Sequence, residues 1–114
     1  MIDRILSDLN KVDGIKGSMV VDKDGLIITS QIPSGIDTEV IGAVVSAVFD
    51  SAEKTVSEIN QGTLQQMIIE GEYGKILMTD VEKGILVVLT DSNVNLGLIR
   101  ISMKRSTDKI KNVL

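Results

Sequence analysis

One long helical segment in the middle of the chain has more apolar surface than a single neighbour can cover. At about 100° per residue, residues 37–60 form a helix with one apolar face broad enough to cover a sheet. This face consists of Ile41, Val45, Val48, Phe49, Ala52, Val56 and Ile59. A second apolar strip lies beside that face and consists of Val40, Ala43, Val44, Ala47 and, at its end, Ser51. A helix on a small domain ordinarily has one apolar stripe and a broad polar back. We therefore expect a sheet on one side of this helix and a second body on the other, which indicates binding rather than catalysis.

The composition excludes several classes of function. The chain has the length of one domain, residues 1–114, and contains neither Cys nor His. It therefore lacks disulfides, thiolate nucleophiles, the commonest metal ligand and the commonest general base. We expect no cofactor, no metal site and no enzymatic activity. A net charge of −4 with one Tyr, one Phe and no Trp also disfavours nucleic-acid binding.

Nothing in the sequence predicts contact with a membrane. The N-terminal residues lack a basic region followed by a long apolar run, so no secretory signal is expected. The longest apolar runs, such as residues 85–89, are far too short to span a bilayer. A cytoplasmic location without membrane insertion is the expectation.

Periodicity and turn residues predict an α/β sandwich with the order α-β-β-α-β-β-β-α. The predicted helices cover residues 1–12, 37–60 and about 91–113, and the predicted strands cover residues 18–21, 26–30, 64–70, 75–79 and 85–90. Short turns between successive strands favour antiparallel pairing. We therefore predict a five-stranded antiparallel sheet with helices on both faces.

Two of these strands have informative patterns. Residues 85–90 form an almost unbroken apolar run, which predicts a central strand covered on both faces. Residues 64–70 are predicted to lie at an edge, with Met67 and Ile69 on one side and Leu64 and Ile68 on the other. Natural edge strands are usually charged or covered unless another chain pairs with them.

Two glycine-containing turns faintly resemble ligand loops. Residues 22–25, Asp-Lys-Asp-Gly, have the start of a calcium loop but lack its third oxygen ligand and its later Glu. Residues 71–75, Gly-Glu-Tyr-Gly-Lys, lack the spacing of a phosphate loop. We interpret both as hairpin turns, in which Gly25 supplies a positive φ. Asp37 is predicted to be the N-cap of the long helix.

The last helix is basic although the whole chain is acidic. Residues 100–112 carry five basic residues and one acid, a net charge of +4. Two interpretations remain open: a solvated helix face, which charge runs usually are, or a docking patch for an acidic partner.

Several segments in the same order resemble the Roadblock (dynein light chain) domain family. They are the hairpin of residues 19–30, the Ala-containing helix after it, and residues 69–78, 85–91 and 95–100. Together they cover nearly the whole chain. The resemblance implies a profilin-like fold, similar to the small prokaryotic single-domain members related to bacterial polarity GTPase regulators. Members of that family also act as scaffolds or as subunits of larger complexes.

The resemblance further implies that two copies pair through the long helix and strand 64–70, and that the dimer binds a small Ras-like GTPase. The implied dimer-interface residues are Val40, Ala43, Val44, Ala47, Ser51, Met67 and Ile69. Two long helices side by side would expose their polar sectors together, which gives the expected partner-binding residues Ser46, Asp50, Glu53 and Ser57. The resemblance identifies no catalytic residue.

Two alternatives to a GTPase-binding dimer remain open. One is a sensor module that holds a small molecule, although a densely aliphatic core offers few polar groups to orient a ligand. The other is a structural subunit of a larger complex without a GTPase partner. The sequence does not identify the GTPase, and it does not distinguish stimulation of hydrolysis from scaffolding, a homodimer from a heterodimer, or a dimer from a larger assembly.

Overall fold

A computed structural model describes all 114 residues, Met1–Leu114, as three helices and five strands. In chain order the elements are α1 (Ile2–Leu9), β1 (Ile15–Val21), β2 (Ile27–Gln31), α2 (Thr38–Glu58), β3 (Gln66–Glu70), β4 (Gly74–Asp80), β5 (Ile85–Asp91) and α3 (Leu96–Val113). The strands form one sheet in the order β2-β1-β5-β4-β3, and every neighbouring pair is antiparallel. The predicted order of elements and the predicted antiparallel sheet are confirmed.

The central strand β5 contributes to two separate hydrophobic cores. Because successive side chains of a strand point to opposite faces, Leu86 and Val88 join a core of 11 buried residues on the side of α1 and α3. Ile85 and Val87 join a core of 8 buried residues on the side of α2. The helices therefore lie on both faces of the sheet, and the predicted position of this strand is confirmed.

Helix α2 packs closely on the β1–β2 turn because two glycines leave room there. A Cβ added at Gly42 would lie 2.8 Å from the backbone oxygen of Gly25, and Gly25 itself has a φ of +92°. At the start of the helix, the Asp37 carboxylate accepts a hydrogen bond from the backbone N–H of Val40 at 3.2 Å, so the predicted N-cap is confirmed. The cap and the glycine contact fix where α2 begins and how it crosses the sheet.

Some predicted boundaries are wrong. The cap of α3 is Asn95, whose side chain accepts from the N–H of Leu98 at 3.0 Å; residues 91–93 do not cap it, because β5 continues through Asp91. Helix α1 ends at Leu9, three residues earlier than predicted, and β1 begins at Ile15, three residues earlier than predicted. The chain leaves helical geometry at Ile59, which is exposed and does not belong to the sheet-facing side of α2.

Candidate protein-interaction surface

The outward side of α2 carries the second apolar strip predicted from the sequence. Val40 and Val44 retain 56% and 55% of their accessible surface. Ala43, Ala47 and Ser51 are also exposed on this side of the helix. The opposite side of α2 is sealed against the sheet by Val45 and Phe49, both buried. The structure thus brings all five residues of the strip together on one exposed helix face.

Strand β3 is an open edge of the sheet. It pairs only with β4. Met67 is half-buried and packs against the α2-side core, and Ile69, two residues on and therefore on the same face, is 38% exposed. The two strand residues expected at the interface therefore lie on the same side of the sheet as α2.

The hydrogen-bond pattern shows which β3 backbone groups are unused. The N–H of Gly71 bonds to the carbonyl of Gly74 at 2.8 Å, and the N–H of Asp80 bonds to the carbonyl of Gln65 at 3.0 Å. Bonded and non-bonded positions alternate along an antiparallel pair, so the odd-numbered residues of β3 bond to β4. The backbone N–H and C=O groups of Gln66, Ile68 and Glu70 therefore point away from the sheet, toward the open edge.

The expected partner-binding residues do not form one exposed group. Asp50 and Ser57 are exposed, and Asp50 pairs with Lys54 one turn later at 3.0 Å. Glu53 is half-buried and its carboxylate lies 3.9 Å from the ammonium of Lys23. Of the expected partner-binding residues, Asp50 and Ser57 are thus exposed as predicted, whereas Glu53 is only partly exposed.

The expectation that Ser46 is exposed is wrong. Only 8% of Ser46 is accessible, and its hydroxyl donates to the carbonyl of Ala43 at 3.0 Å. The β1–β2 turn covers it, since a Cβ at Gly25 would lie 2.7 Å from the Ser46 hydroxyl oxygen. Ser46 therefore belongs to the contact between α2 and that turn and offers no surface to a partner.

Lys23 ties the polar flank of α2 to the sheet. Its ammonium is 2.6 Å from the Asp80 carboxylate and lies 5.0 Å from the centre of the Phe49 ring. Together with the Glu53 contact, this cation holds the β1–β2 turn, α2 and the end of β4 in one arrangement. A cation over an aromatic face adds a further electrostatic attraction.

The polar half of the outward face of α2 was not among the predicted functional residues. Lys54, Thr55 and Glu58 are exposed on the same side as Ala47, in the last two turns of the helix. Helical spacing could have identified this half, because Lys54 follows Ala47 by seven residues and so lies on the same side of the helix two turns later. The outward face is consequently apolar in its first half and charged in its second half.

The two glycine turns have structural roles. The Asp22 carboxylate accepts from the backbone N–H groups of Asp24 and Leu26 at 2.9 and 3.0 Å, which closes the β1–β2 turn as predicted. The second turn closes the β3–β4 hairpin through the Gly71–Gly74 bond. No group of three or more acidic side chains comes close enough together to hold a metal ion. No helix has the length and apolar character needed to cross a membrane.

Comparison with known proteins identifies relatives along nearly the whole chain. The model of the Roadblock/LC7 domain matches residues 1–90. A Methanocaldococcus jannaschii protein described as uncharacterized protein MJ0310 is 65% identical over 111 residues, which is 97% of this chain and 97% of that protein. Among solved structures, Myxococcus xanthus MglB superposes with a TM-score of 0.93 at 25% identity, over 98% of this chain and 93% of MglB.

A more distant neighbour confirms the fold class. Acanthamoeba castellanii profilin IB superposes with a TM-score of 0.67 at 12% identity, over 93% of this chain and 92% of profilin. At that identity the likeness is one of fold alone. The predicted profilin-like sandwich is confirmed, and so is the predicted family resemblance.

Proposed function

We propose that this chain, which belongs to the Roadblock/LC7 domain family, is a homodimeric binding module that scaffolds or regulates a small Ras-like GTPase in the cytoplasm. It has no catalytic activity of its own in this proposal. The family resemblance supplies the class of partner. The surface of α2 and β3 supplies the physical support for self-association.

One observation carries the proposal: the α2 side of the sheet has both an exposed apolar helix strip and two apolar residues, Met67 and Ile69, of an edge strand with no second partner. Val40 and Val44 leave apolar surface in water, and β3 leaves the N–H and C=O groups of Ile68 and Glu70 without strand partners. A second copy related by a two-fold axis would cover both features at once. Its own α2 would lie against the strip, and its own β3 would extend the sheet.

The residue types in the strip suit a close helix–helix contact. Ala43, Ala47 and Ser51 are small and follow one another at intervals of four residues, so a second helix backbone can approach along that line. Such a self-complementary contact is the usual geometry of a homodimer. We expect it to bury roughly 1,200–2,000 Å² in total.

The GTPase would bind across the two α2 helices of such a dimer. Asp50 and Ser57 flank the apolar strip and remain exposed. Two copies of this flank form one mildly acidic surface, which a single asymmetric partner can cover. We therefore expect two Roadblock chains for each GTPase, with an affinity that falls as salt rises because exposed charges contribute.

The test uses one charge reversal with a closely matched control. Asp50→Lys changes the proposed surface, whereas Asp108→Lys makes the same change on α3. Both carboxylates are exposed and both pair with a lysine four residues away, at 3.0 Å for Asp50–Lys54 and 3.2 Å for Lys104–Asp108. Each variant therefore loses one surface ion pair of similar, small worth. Glu53 is left unchanged because its contact with Lys23 is structural.

Calorimetry should be carried out with a Ras-like GTPase encoded in the same genome, loaded with GDP or with a non-hydrolysable GTP analogue. We expect binding in one nucleotide state, a stoichiometry of two chains per GTPase, and about tenfold weaker binding by Asp50→Lys alone. Equal effects of Asp50→Lys and Asp108→Lys would assign the partner to another surface. Absence of binding in both nucleotide states would contradict the GTPase proposal itself.

A further inference from the structure

A polar cleft of about 520 Å³ opens on the side of the sheet opposite α2. It lies between the middle of α3, the approach to β3 and the end of β4. Met103 is the one hydrophobic residue among the eleven that line it. The volume is within the usual range for small-molecule sites, whereas the lining is far more polar than in most of them.

Three cations of α3 line the cleft: Arg100, Lys104 and Lys111. Arg100 forms no ion pair, since none of the carboxylates lies within 4.0 Å of its guanidinium. Lys104 pairs with Asp108, which is outside the cleft. Arg100 in particular has a complete fork of N–H donors available to an anion.

The two acids in the lining are already engaged. Asp80 accepts from the ammonium of Lys23 at 2.6 Å. Glu82 lies 3.9 Å from the ammonium of Lys111. Both acids of the lining are therefore partly neutralised by lysines, and Lys104 is likewise paired with Asp108, so Arg100 is the cation of the lining that remains unpaired for a ligand.

One buried hydroxyl in the cleft has no partner. Thr107 lines the cleft and is only 3% exposed, yet its Oγ1 makes no hydrogen bond. A buried hydroxyl without a partner costs free energy, so native structures rarely leave one unsatisfied. Oγ1 is closed to solvent in this orientation, so a polar ligand seated beside α3 would supply the missing partner after a rotation of the Thr107 side chain toward the cleft.

We propose that this cleft binds a small phosphate ester with a hydroxylated carbon body, as in a sugar phosphate. Arg100 would hold the phosphate, because a guanidinium matches two phosphate oxygens at once. Lys104 would turn to the phosphate from Asp108, its exposed partner outside the cleft. Thr63, Thr79 and Gln66, also in the lining, offer neutral groups that both donate and accept hydrogen bonds to hydroxyls. No aromatic side chain lines the cleft, so nothing there would stack a nucleobase.

This site does not depend on the GTPase proposal. Met103 belongs to the core on the α1 and α3 side, and α2 packs on the other core. The polar cleft also gives the small-molecule alternative a location outside the aliphatic core. A failure here would leave the GTPase proposal standing, and the reverse also holds; Gln66 is the one lining residue on β3, the strand proposed to pair with a second copy.

The test is a titration of ¹⁵N-labelled protein followed by amide chemical shifts, with glucose 6-phosphate, inorganic phosphate and glucose as separate probes. We expect glucose 6-phosphate to give saturable shifts at Thr79, Glu82 and the α3 residues around Met103. Glucose should give none. Inorganic phosphate should bind more weakly than the ester.

Matched variants separate the cleft from general surface charge. Arg100→Gln should weaken binding about tenfold, whereas Arg105→Gln, on the same helix but outside the lining, should leave it unchanged. Thr107→Val should leave the melting temperature unchanged or raise it, because it removes an unsatisfied hydroxyl, and should still weaken binding several-fold.

Four results would overturn the proposal. They are the absence of saturable shifts in the cleft up to about 20 mM glucose 6-phosphate, equal losses in Arg100→Gln and Arg105→Gln, unchanged affinity in Thr107→Val, and inorganic phosphate binding as tightly as the ester. If inorganic phosphate bound as tightly as the ester, the hydroxyl-binding role proposed for Thr63, Thr79 and Gln66 would be wrong.

Discussion

The two edge strands of this sheet, β2 and β3, differ in the contacts that the rest of the chain makes with them. On β2, helix α1 and its C-cap Asn10 bond mainly to side chains: the Gln31 side chain donates to the carbonyl of Asp3 at 2.6 Å, and the Asn10 amide donates to the Gln31 carbonyl at 3.0 Å. The Asp3 carboxylate also accepts from the hydroxyl of Thr29. At the β3 edge no such partners are present, and Met67, Ile68 and Ile69 make the strand apolar on both faces.

This difference shows which edge strand has its side chains engaged by other parts of the chain. A long apolar edge with free backbone groups is a template for pairing with another chain. The polar second half of β2, residues 29–31, and its side-chain contacts with α1 make that edge a poorer template. Met67 and Ile69 of β3 lie on the face of the sheet that α2 covers, so both uncovered features belong to the α2 side of the molecule. We attribute that coincidence to self-association.

The largest expected effect is on assembly. Ala47→Glu should weaken the dimer by more than about a hundredfold, because two carboxylates would be buried near the two-fold axis without partners. Sedimentation equilibrium measures this directly. Asn112→Glu, an equivalent change on the exposed side of α3, is the control and should sediment like the wild type. An Ala47→Glu protein with unchanged self-association would contradict the assignment of the strip.

The next largest effect is on the contact that Asn10, at the end of α1, makes with β1 and β2. Asn10→Ala removes the bond to the Gln31 carbonyl. It also removes the Asn10 amide oxygen, which accepts a hydrogen bond from the buried Ser18 hydroxyl at 2.6 Å. We expect the free energy of unfolding to fall by about 1–3 kcal/mol. Urea denaturation of the dissociated protein gives this value. Asn112→Ala, which removes an exposed amide, should change it by less than about 0.5 kcal/mol; equal losses in the two variants would show that α1 does not hold the β2 edge.

A smaller effect is expected from removing one backbone N–H from the open edge of β3. The N–H of Glu70 points away from β4, so Glu70→Pro removes no bond of the β3–β4 ladder, and proline is tolerated at such positions. It should nevertheless weaken dimerisation about tenfold because it removes a donor from the shared edge. Glu70→Ala controls for loss of the carboxylate. Similar dimer affinity in both variants would indicate that the helices associate without strand pairing.

Local chemistry explains why much of the fold was predictable. The Asp37 cap, the Gly25 turn and the doubly covered strand β5 each follow from a few consecutive residues. The outward strip was also predictable, because helical periodicity assigns Val40 and Val44 to one side regardless of what packs elsewhere.

Features that depend on distant parts of the chain were not predictable. Ser46 is buried because Gly25, twenty-one residues earlier, packs over it. The choice of Asn95 over residues 91–93 as the cap of α3 follows from the length of the β5 pairing with its neighbours. The cleft around Thr107 requires β3, β4 and α3 to meet, and no periodicity within one segment encodes that meeting.

The most direct test of the central claim is amide hydrogen exchange along β3. Met67 and Ile69 bond to β4 and serve as internal references, whereas the N–H groups of Ile68 and Glu70 reach only the open edge. If a second copy pairs there, Ile68 and Glu70 will be protected at high protein concentration and will lose that protection on dilution or in Ala47→Glu, while Met67 and Ile69 stay protected. Rapid exchange of Ile68 and Glu70 at every concentration would contradict the account.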